Sequence, residues 1–403
     1  MIALGREFLV RGHDVKIYSS AYFERHVREA GIDFAPITSS AEYDKLLRNP
    51  DIARTFKGWR LLGESLVSAL PASYRAMEAD LVPGNTLVVG SLLAFSGRSI
   101  QEKHGVPMTV VHLHSSVFRS AYKQPRLTSL PPPHYAPGFF KEFVNYATDK
   151  FLLDPVVGTA VNEHRKQIGL PPVKRVFDKW LHGADVMIGL FPDWFCEPQP
   201  DWPSNLAMTG FPLYDHDLEA DLPADVRAFL DNGAAPVAFT AGTATADVKR
   251  FFEVAVKASE MMGRRAILLT RFADQLPACL PKSVGHFSYV PFGRLLPSLQ
   301  AFVHHGGIGS TSQALRAAVP QLIRPMAYDQ FENAYHVKRF GVGDELLPSK
   351  FEPHAVAKKL CALIDNPSIL ANCKTVAARL TENSALAQAC DVILNHAQAR
   401  GGV

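Results

Sequence analysis

Apolar and polar positions alternate with two different periods along the chain, and the first to appear is helical. Leu4, Phe8 and Leu9 share one helix face, Gly12 stands where a left-handed cap ends a helix, and Val15 and Ile17 then alternate along a strand expected over His13–Ser19. Further on, NTLVVGSLLAF (Asn85–Phe95) reads as a buried strand, followed by a helix over SGRSIQEKHG that ends at Gly105. PMTVVHLHSS and ADVMIGLF (Ala184–Phe191) predict two more strands. Near-continuous apolar strands alternating with helices are the pattern of an α/β, doubly wound parallel sheet.

The rhythm breaks at Gly210–Pro223 (GFPLYDHDLEADLP), which is acidic, bounded by proline and reads as a linker. It then restarts, with strands predicted in PVAFTAGTA, RRAILLT, GHFSYVPF, LQAFVHHGG and PQLIRPM. Two α/β domains are therefore expected, residues 1–213 and 214–403, with the last helix packing back on the first domain.

Composition narrows the function classes. The 403 residues are 47% apolar, the range of a globular protein, and 42 basic against 39 acidic side chains leave no electrostatic footprint for nucleic acid. The five cysteines are scattered without a CxxC pair, which predicts free thiols and no zinc site. No run of about 18 apolar residues suggests a membrane span, and no basic leader precedes an apolar segment, so a cytoplasmic protein is expected. The pattern is silent on oligomeric state.

The richest chemistry lies in AFVHHGGIGSTSQALRAAVPQLIRPMAYDQ. A buried strand over Ala301–Val303 ends in His304-His305, passes Gly306, Gly307 and Gly309, and enters a helix near Ser310-Thr311. Glycines let backbone N–H groups approach a ligand, and a helix start offers unpaired donors at the positive end of the dipole. Such a turn suits a diphosphate. The helix end contributes about 0.3–1 kcal/mol when exposed. Each charge-assisted hydrogen bond is worth about 1.5–3 kcal/mol, so His305, Ser310 and Thr311 are expected to outweigh the dipole. Asp329-Gln330 follows the next strand, where a carboxylate beside an amide can hold sugar hydroxyls. For the glycines alone, a tightened strand–helix turn is an equally good account.

Taken together, Tyr289-Val290-Pro291, His305–Ser310, Ala318-Val319-Pro320 and Pro325–Gln330 resemble the C-terminal signature of the family-one, inverting nucleotide-sugar glycosyltransferases. SVFRS, GLFPDWF, PQPDWP and TGFPLYD look like the bacterial branch that includes the rhamnolipid rhamnosyltransferase chain. The resemblance implies a GT-B fold, two Rossmann-like domains facing across a cleft. It implies transfer of a hexose of the rhamnose or glucose class from a UDP- or dTDP-sugar, with inversion and without a metal or other cofactor, to an apolar or lipid-like acceptor. By resemblance, Tyr289 stacks on the pyrimidine and Val290 offers backbone bonds to its edge. His305 and Ser310 hold the diphosphate, Thr243 after Gly242 reaches a phosphate, and Asp329 and Gln330 hold the sugar. Two positions depart from the pattern: Gln313 stands where many relatives contact the ribose with glutamate, and Phe292 where a glutamine is common.

The acceptor side is thinner. In relatives, a strand and a glycine-rich loop carrying the general base precede the text matched here by Ile2–Val15, so the resemblance implies an N-terminal sheet lacking its first strand. A start placed too far downstream and a catalytically silent homologue are the two explanations, the first preferred. His112 and His114 are the remaining candidates for a base, although most such histidines are packed or hydrogen-bonded. Phe139, Phe140, Phe143, Val144 and Phe151 recur at helical spacing. They read as a wall of an acceptor channel, as a contact at the inner membrane face, or as a helix covering the sheet. The last is the expectation, because apolar stripes are usually core.

Overall fold

The computed structural model describes residues 1–130, 135–214, 221–242, 248–380 and 384–400. The chain divides into two compact units: Met1–Pro125, Pro133–Pro212 and Ser384–Val403 form the first, and Arg126–Pro132 and Leu213–Asn383 the second.

In the first unit, β1 (Lys16–Ser20) pairs in parallel with β2 (Asp33–Thr38), while β3 (Val88–Ser91), β4 (Met108–His112), β5 (Val186–Gly189) and β6 (Leu206–Met208) form a parallel sheet in that order. Among the described residues β1 bonds only to β2 and β3 only to β4, so each is a sheet edge. β4 and β5 are buried at every position, as parallel strands covered on both faces must be. The helix Ile2–Val10 buries Leu4 and Phe8, and Gly12 at φ 85° lets the chain turn out of it. These side chains pack with Val111, Ile188 and Leu190 and with Ala389, Cys390 and Ile393 of the helix Ala385–Ala399. Arg11 fastens the two helices, donating to Asp391 at 2.5 Å and to the Ala387 carbonyl at 3.0 Å.

The second unit holds β7 (Val237–Thr240), β8 (Ala266–Leu269), β9 (Val284–Phe287), β10 (Ala301–His304), β11 (Gln321–Ile323) and β12 (Gly343–Glu345). All pair in parallel, in the order β12-β11-β10-β7-β8-β9. Successive side chains of one strand feed opposite cores: Val237 and Phe239 join Phe251, Val303 and Leu322, whereas Ala238 joins Ile267, Phe302 and Val319. The chain runs outward one way from β7 and the other way from β10. That reversal is a topological switch point, and ligands of open α/β sheets bind beyond the strand ends there.

Candidate functional site

Two loops leave the switch point, and a histidine fixes them to each other. At the end of β7, Gly242 takes φ 77°, and a methyl group built on it would lie 2.6 Å from His305 Nδ1. One on Gly307 would lie 2.5 Å from His305 Nε2. The imidazole is thus held between two stretches of bare backbone, and only glycine fits on either side. Its Nδ1 is buried with no hydrogen-bond partner among the described residues. Burial lowers the His305 pKa, against the opposing charge of Asp329, so the ring is neutral at pH 7.

His304, fully buried one residue earlier, is structural. It accepts from the Gly306 N–H at Nδ1 (3.1 Å), pairs through Nε2 with Gln321 Oε1 (3.0 Å) and stacks on Phe302. Burial pushes its pKa down to about 3. The neutral ring holds the turn from beneath.

Gly306 takes φ 93°, and a side chain there would also meet Ile323 at 2.6 Å and the Gln330 carbonyl at 3.2 Å, so glycine is required on both counts. Helix Ile308–Arg316 follows, with Gly307 as its N-cap. Asp329 Oδ2 accepts from the Ile308 N–H at 3.2 Å and from Asn333 Nδ2 at 2.8 Å, and the same Asn333 amide donates to the Gly306 carbonyl at 2.8 Å. Asp329 therefore helps build the turn. Gly309 is exposed, with open space where a side chain would be. The first-turn N–H groups of Gly309 and Ser310 have no carbonyl four residues back within the helix.

Three of the expected contacts are placed differently. Thr311 is buried and donates its hydroxyl to the Gly307 carbonyl at 3.0 Å, so it faces inward. Gln313 is buried too, its amide nitrogen 3.3 Å from the Tyr214 carbonyl. Gln330 spends its side-chain carbonyl on the N–H groups of Met326 and Ala327, at 2.7 and 3.2 Å, leaving only its amide N–H₂ for a ligand. That clasp holds Tyr328 at φ 58°, a conformation costing a non-glycine residue about 1–3 kcal/mol. Thr243 lies outside the described residues. Asn333 was not singled out by sequence; its place one helical turn after Asp329 is the signal that could have found it.

Tyr289 is half exposed beyond β9, and Val290 beside it is buried in the core with Phe302 and Ala314. β9 is three strands from β10, about 14 Å at the usual spacing. Along one strand-end edge the order is then Tyr289, Gly242, His305 with its turn, and Asp329-Gln330 after β11.

In the first unit, His112 ends β4 with both ring nitrogens buried and unpartnered among the described residues, against Phe118 (4.6 Å) and His182 (5.8 Å). Burial holds its pKa well below the usual histidine range. His114 lies past the strand end, half-buried, with Nδ1 2.7 Å from Ser116 Oγ. Of the two, His112 is sealed and His114 has access to solvent.

Ala318, before the Val319-Pro320 step into β11, takes φ 55°. The left-handed conformation costs an L-residue about 1–2 kcal/mol. Ala318→Gly is expected to raise stability by about 0.5–1 kcal/mol after the added unfolded-state entropy of glycine is subtracted. Urea denaturation midpoints check this.

Comparison with known proteins gives this geometry a context. Residues 265–395 match the family model described as Erythromycin biosynthesis protein CIII-like, C-terminal domain. The chain is 28% identical over 362 residues to the vancomycin aglycone glucosyltransferase of Amycolatopsis orientalis, covering 85% of this chain and 81% of that protein. It is 26% identical to a sterol 3-beta-glucosyltransferase of Leptosphaeria maculans over 85% of this chain, which spans only 24% of that longer protein. Among solved structures, the glycosyltransferase of kitacinnamycin superposes with a TM-score of 0.73 at 20% identity, over 98% of this chain and 94% of that one. The spinosyn rhamnosyltransferase SpnG complexed with thymidine diphosphate gives 0.63 at 19% identity, over 97% and 95%. The two parallel-sheet units and these solved structures give the chain the GT-B fold, and its matched C-terminal model and its relatives make it similar to glycosyltransferases.

Proposed function

We propose that this chain transfers a hexose of the rhamnose or glucose class from a UDP- or dTDP-sugar to a hydroxyl of an apolar, lipid-like acceptor, inverting the anomeric carbon. The observation that carries the donor half is the linear order of groups on the second unit. The exposed Tyr289 ring offers a stacking face for a pyrimidine. About 14 Å away across the strands, the turn at His305 offers an imidazole nitrogen without a partner among the described residues, and the first-turn N–H groups of Gly309 and Ser310, to a diphosphate. One strand further, Asp329 has an oxygen, and Gln330 an amide N–H₂, without a partner among the described residues and open to sugar hydroxyls.

Charge develops on the departing diphosphate in the transition state, and preorganised N–H donors stabilise it without a metal. Asp329 belongs to both sides of this arrangement. By accepting from Ile308 and Asn333 it fixes the helix start, so the phosphate and sugar positions are set by one side chain. The proton of the acceptor hydroxyl needs a base. Of the two histidines raised for that role, His114, bonded to Ser116, is open to solvent and His112 is sealed, so His114 is the one a His114→Ala variant tests. The apolar acceptor is supported by the sterol and antibiotic-aglycone relatives named above.

The test offers the chain UDP- and dTDP-glucose and -rhamnose with hydroxylated sterol, fatty-acid and macrolide acceptors. Nucleoside diphosphate binding is read by calorimetry, turnover by diphosphate release, and product configuration by NMR. Binding with turnover and an inverted linkage is the expected result. Binding without turnover supports a nucleotide-sugar-binding, catalytically silent protein instead. Absence of binding overturns the donor site.

A further inference from the structure

We propose that the helix Gly138–Thr148 and the turn after it dock the protein on an anionic lipid surface. The helix is built inside out. Its buried side is polar at one-turn spacing: Lys141 is buried and donates to the carbonyls of Ala121 (3.1 Å) and Tyr122 (2.9 Å). Asn145 Oδ1 accepts from Gln124 at 2.7 Å, and the buried Asp149 carboxylate takes both oxygens to Arg119 at 2.7 and 2.8 Å. With the polar face anchored on residues 119–124, the aromatic face has nowhere to go but outward. Phe139 is 75% exposed, Phe143 64% and Phe151 67%. Phe140, Val144, Tyr146 and Leu152 beside them are exposed as well.

This corrects the sequence expectation that the stripe covers the sheet. A soluble protein seldom leaves so contiguous an apolar face in water. Its partner is argued from charge. Lys150 lies within the face, its ammonium 5.5 Å from the Tyr146 ring and 5.4 Å from the Phe151 ring, while Arg175, 6.0 Å over Tyr146, is ion-paired with Asp178. Exposed Lys174 and Lys179 flank Arg175 in the chain and carry the further positive charge, and Glu142 is the exposed acid on the helix itself. Aromatic rings with interleaved cations are the composition of an interfacial segment at an anionic bilayer, where rings enter the headgroup boundary and cations meet phosphates. No helix among the described residues is long and apolar enough to span a membrane, so this is attachment to one leaflet.

The proposal rests on the lipid-like acceptor of the preceding section, since attachment brings the enzyme to substrates dissolved in a membrane. It is tested by flotation of the whole chain with vesicles of phosphatidylcholine alone and of phosphatidylcholine mixed with phosphatidylglycerol. The expected result is binding to the mixed vesicles, weakened by salt. Partitioning should drop about tenfold for each of Phe139→Ser, Phe143→Ser and Phe151→Ser, and about fivefold for Lys150→Gln. Exposed positions are chosen so that the variants fold, which thermal melts verify. No binding to either vesicle, or equal binding to both, overturns the proposal. So does self-association in sedimentation that the phenylalanine variants disperse, because the face then belongs to a second copy. Nucleoside diphosphate binding, read in the same preparations, separates the two readings. Vesicle binding without it leaves the docking face standing and removes the donor site, and the converse removes the docking face alone.

Discussion

Gly242→Ala is expected to weaken nucleoside diphosphate binding by about 10- to 100-fold, the cost of one hydrogen bond to a charged group. The added methyl would stand 2.6 Å from His305 Nδ1, 2.7 Å from Cε1 and 2.9 Å from Cγ, at a residue whose φ is 77°. Backbone and ring must both yield. The left-handed strain costs about 1–2 kcal/mol of stability, while displacement of the imidazole removes the donor it presents. His305→Ala should cost binding by a similar factor with less strain, since it deletes the obstructing ring. The informative variant is the double one. If Gly242 matters because it makes room for His305, the second substitution adds little to His305→Ala, and the cycle shows strong coupling. Calorimetry with UDP and dTDP measures all four proteins. Additive losses would mean that Gly242 contacts the nucleotide by itself, and wild-type affinity in Gly242→Ala would remove His305 from the site.

How far the sequence led depends on what each feature is made of. β4, β5, β7, β8 and β10 were legible because each is an apolar run ended by glycine, proline or a polar cluster. β6, β11 and β12 are only three residues long, and β12 reads Gly343-Asp344-Glu345, so only β11, beside an evident proline turn, could be marked. β2 contains Pro36, and the helix Thr55–Ala79 contains Pro71, each an argument against the element that formed. Tertiary packing overrode both. At the site, residue types at the turn were visible, but their division of labour was not. His304 and His305 are neighbours in sequence, yet one bonds Gln321 and Gly306 within the core and the other fills the space between two glycines from different loops. The inward turn of Thr311 follows from its hydroxyl bonding the Gly307 carbonyl, a choice no periodicity reveals. The aromatic stripe was misjudged for the same reason. Burial of Lys141 against two carbonyls is a three-dimensional fact, and it reversed the face that hydrophobicity alone would bury.

The histidines also set a pH dependence of large size. Burial holds His304 at about 3 and His182 at about 4, with the charge of Asp178 pulling His182 the other way, and it keeps His112 well below the usual range. Unfolded, each titrates near 6.5. Between about pH 6.5 and 4 the unfolded chain therefore binds protons that the folded chain refuses, so stability is full above 6.5 and falls as the pH drops. At pH 4.5 each of His182 and His304 costs about 2–3 kcal/mol, from about 1.4 kcal/mol per unit of pH. Asp149 and Asp154, raised by burial, act with the opposite sign. Glu78, Asp80 and Asp344, held below their usual values by hydrogen bonds and nearby lysines or histidine, add their losses only in the carboxylate range, further down. Urea unfolding from pH 7.5 to 4.5 should show the decline beginning above the carboxylate range. His304→Asn separates this cause from general acid instability: the variant starts less stable, yet its slope between pH 6 and 4.5 should be shallower by about 1.4 kcal/mol per unit. An unchanged slope would mean that His304 takes up its proton in the folded protein. The bond it accepts from Gly306 would then break before the chain unfolds, and nucleoside diphosphate binding at the proposed donor site would be lost at a higher pH than the fold itself.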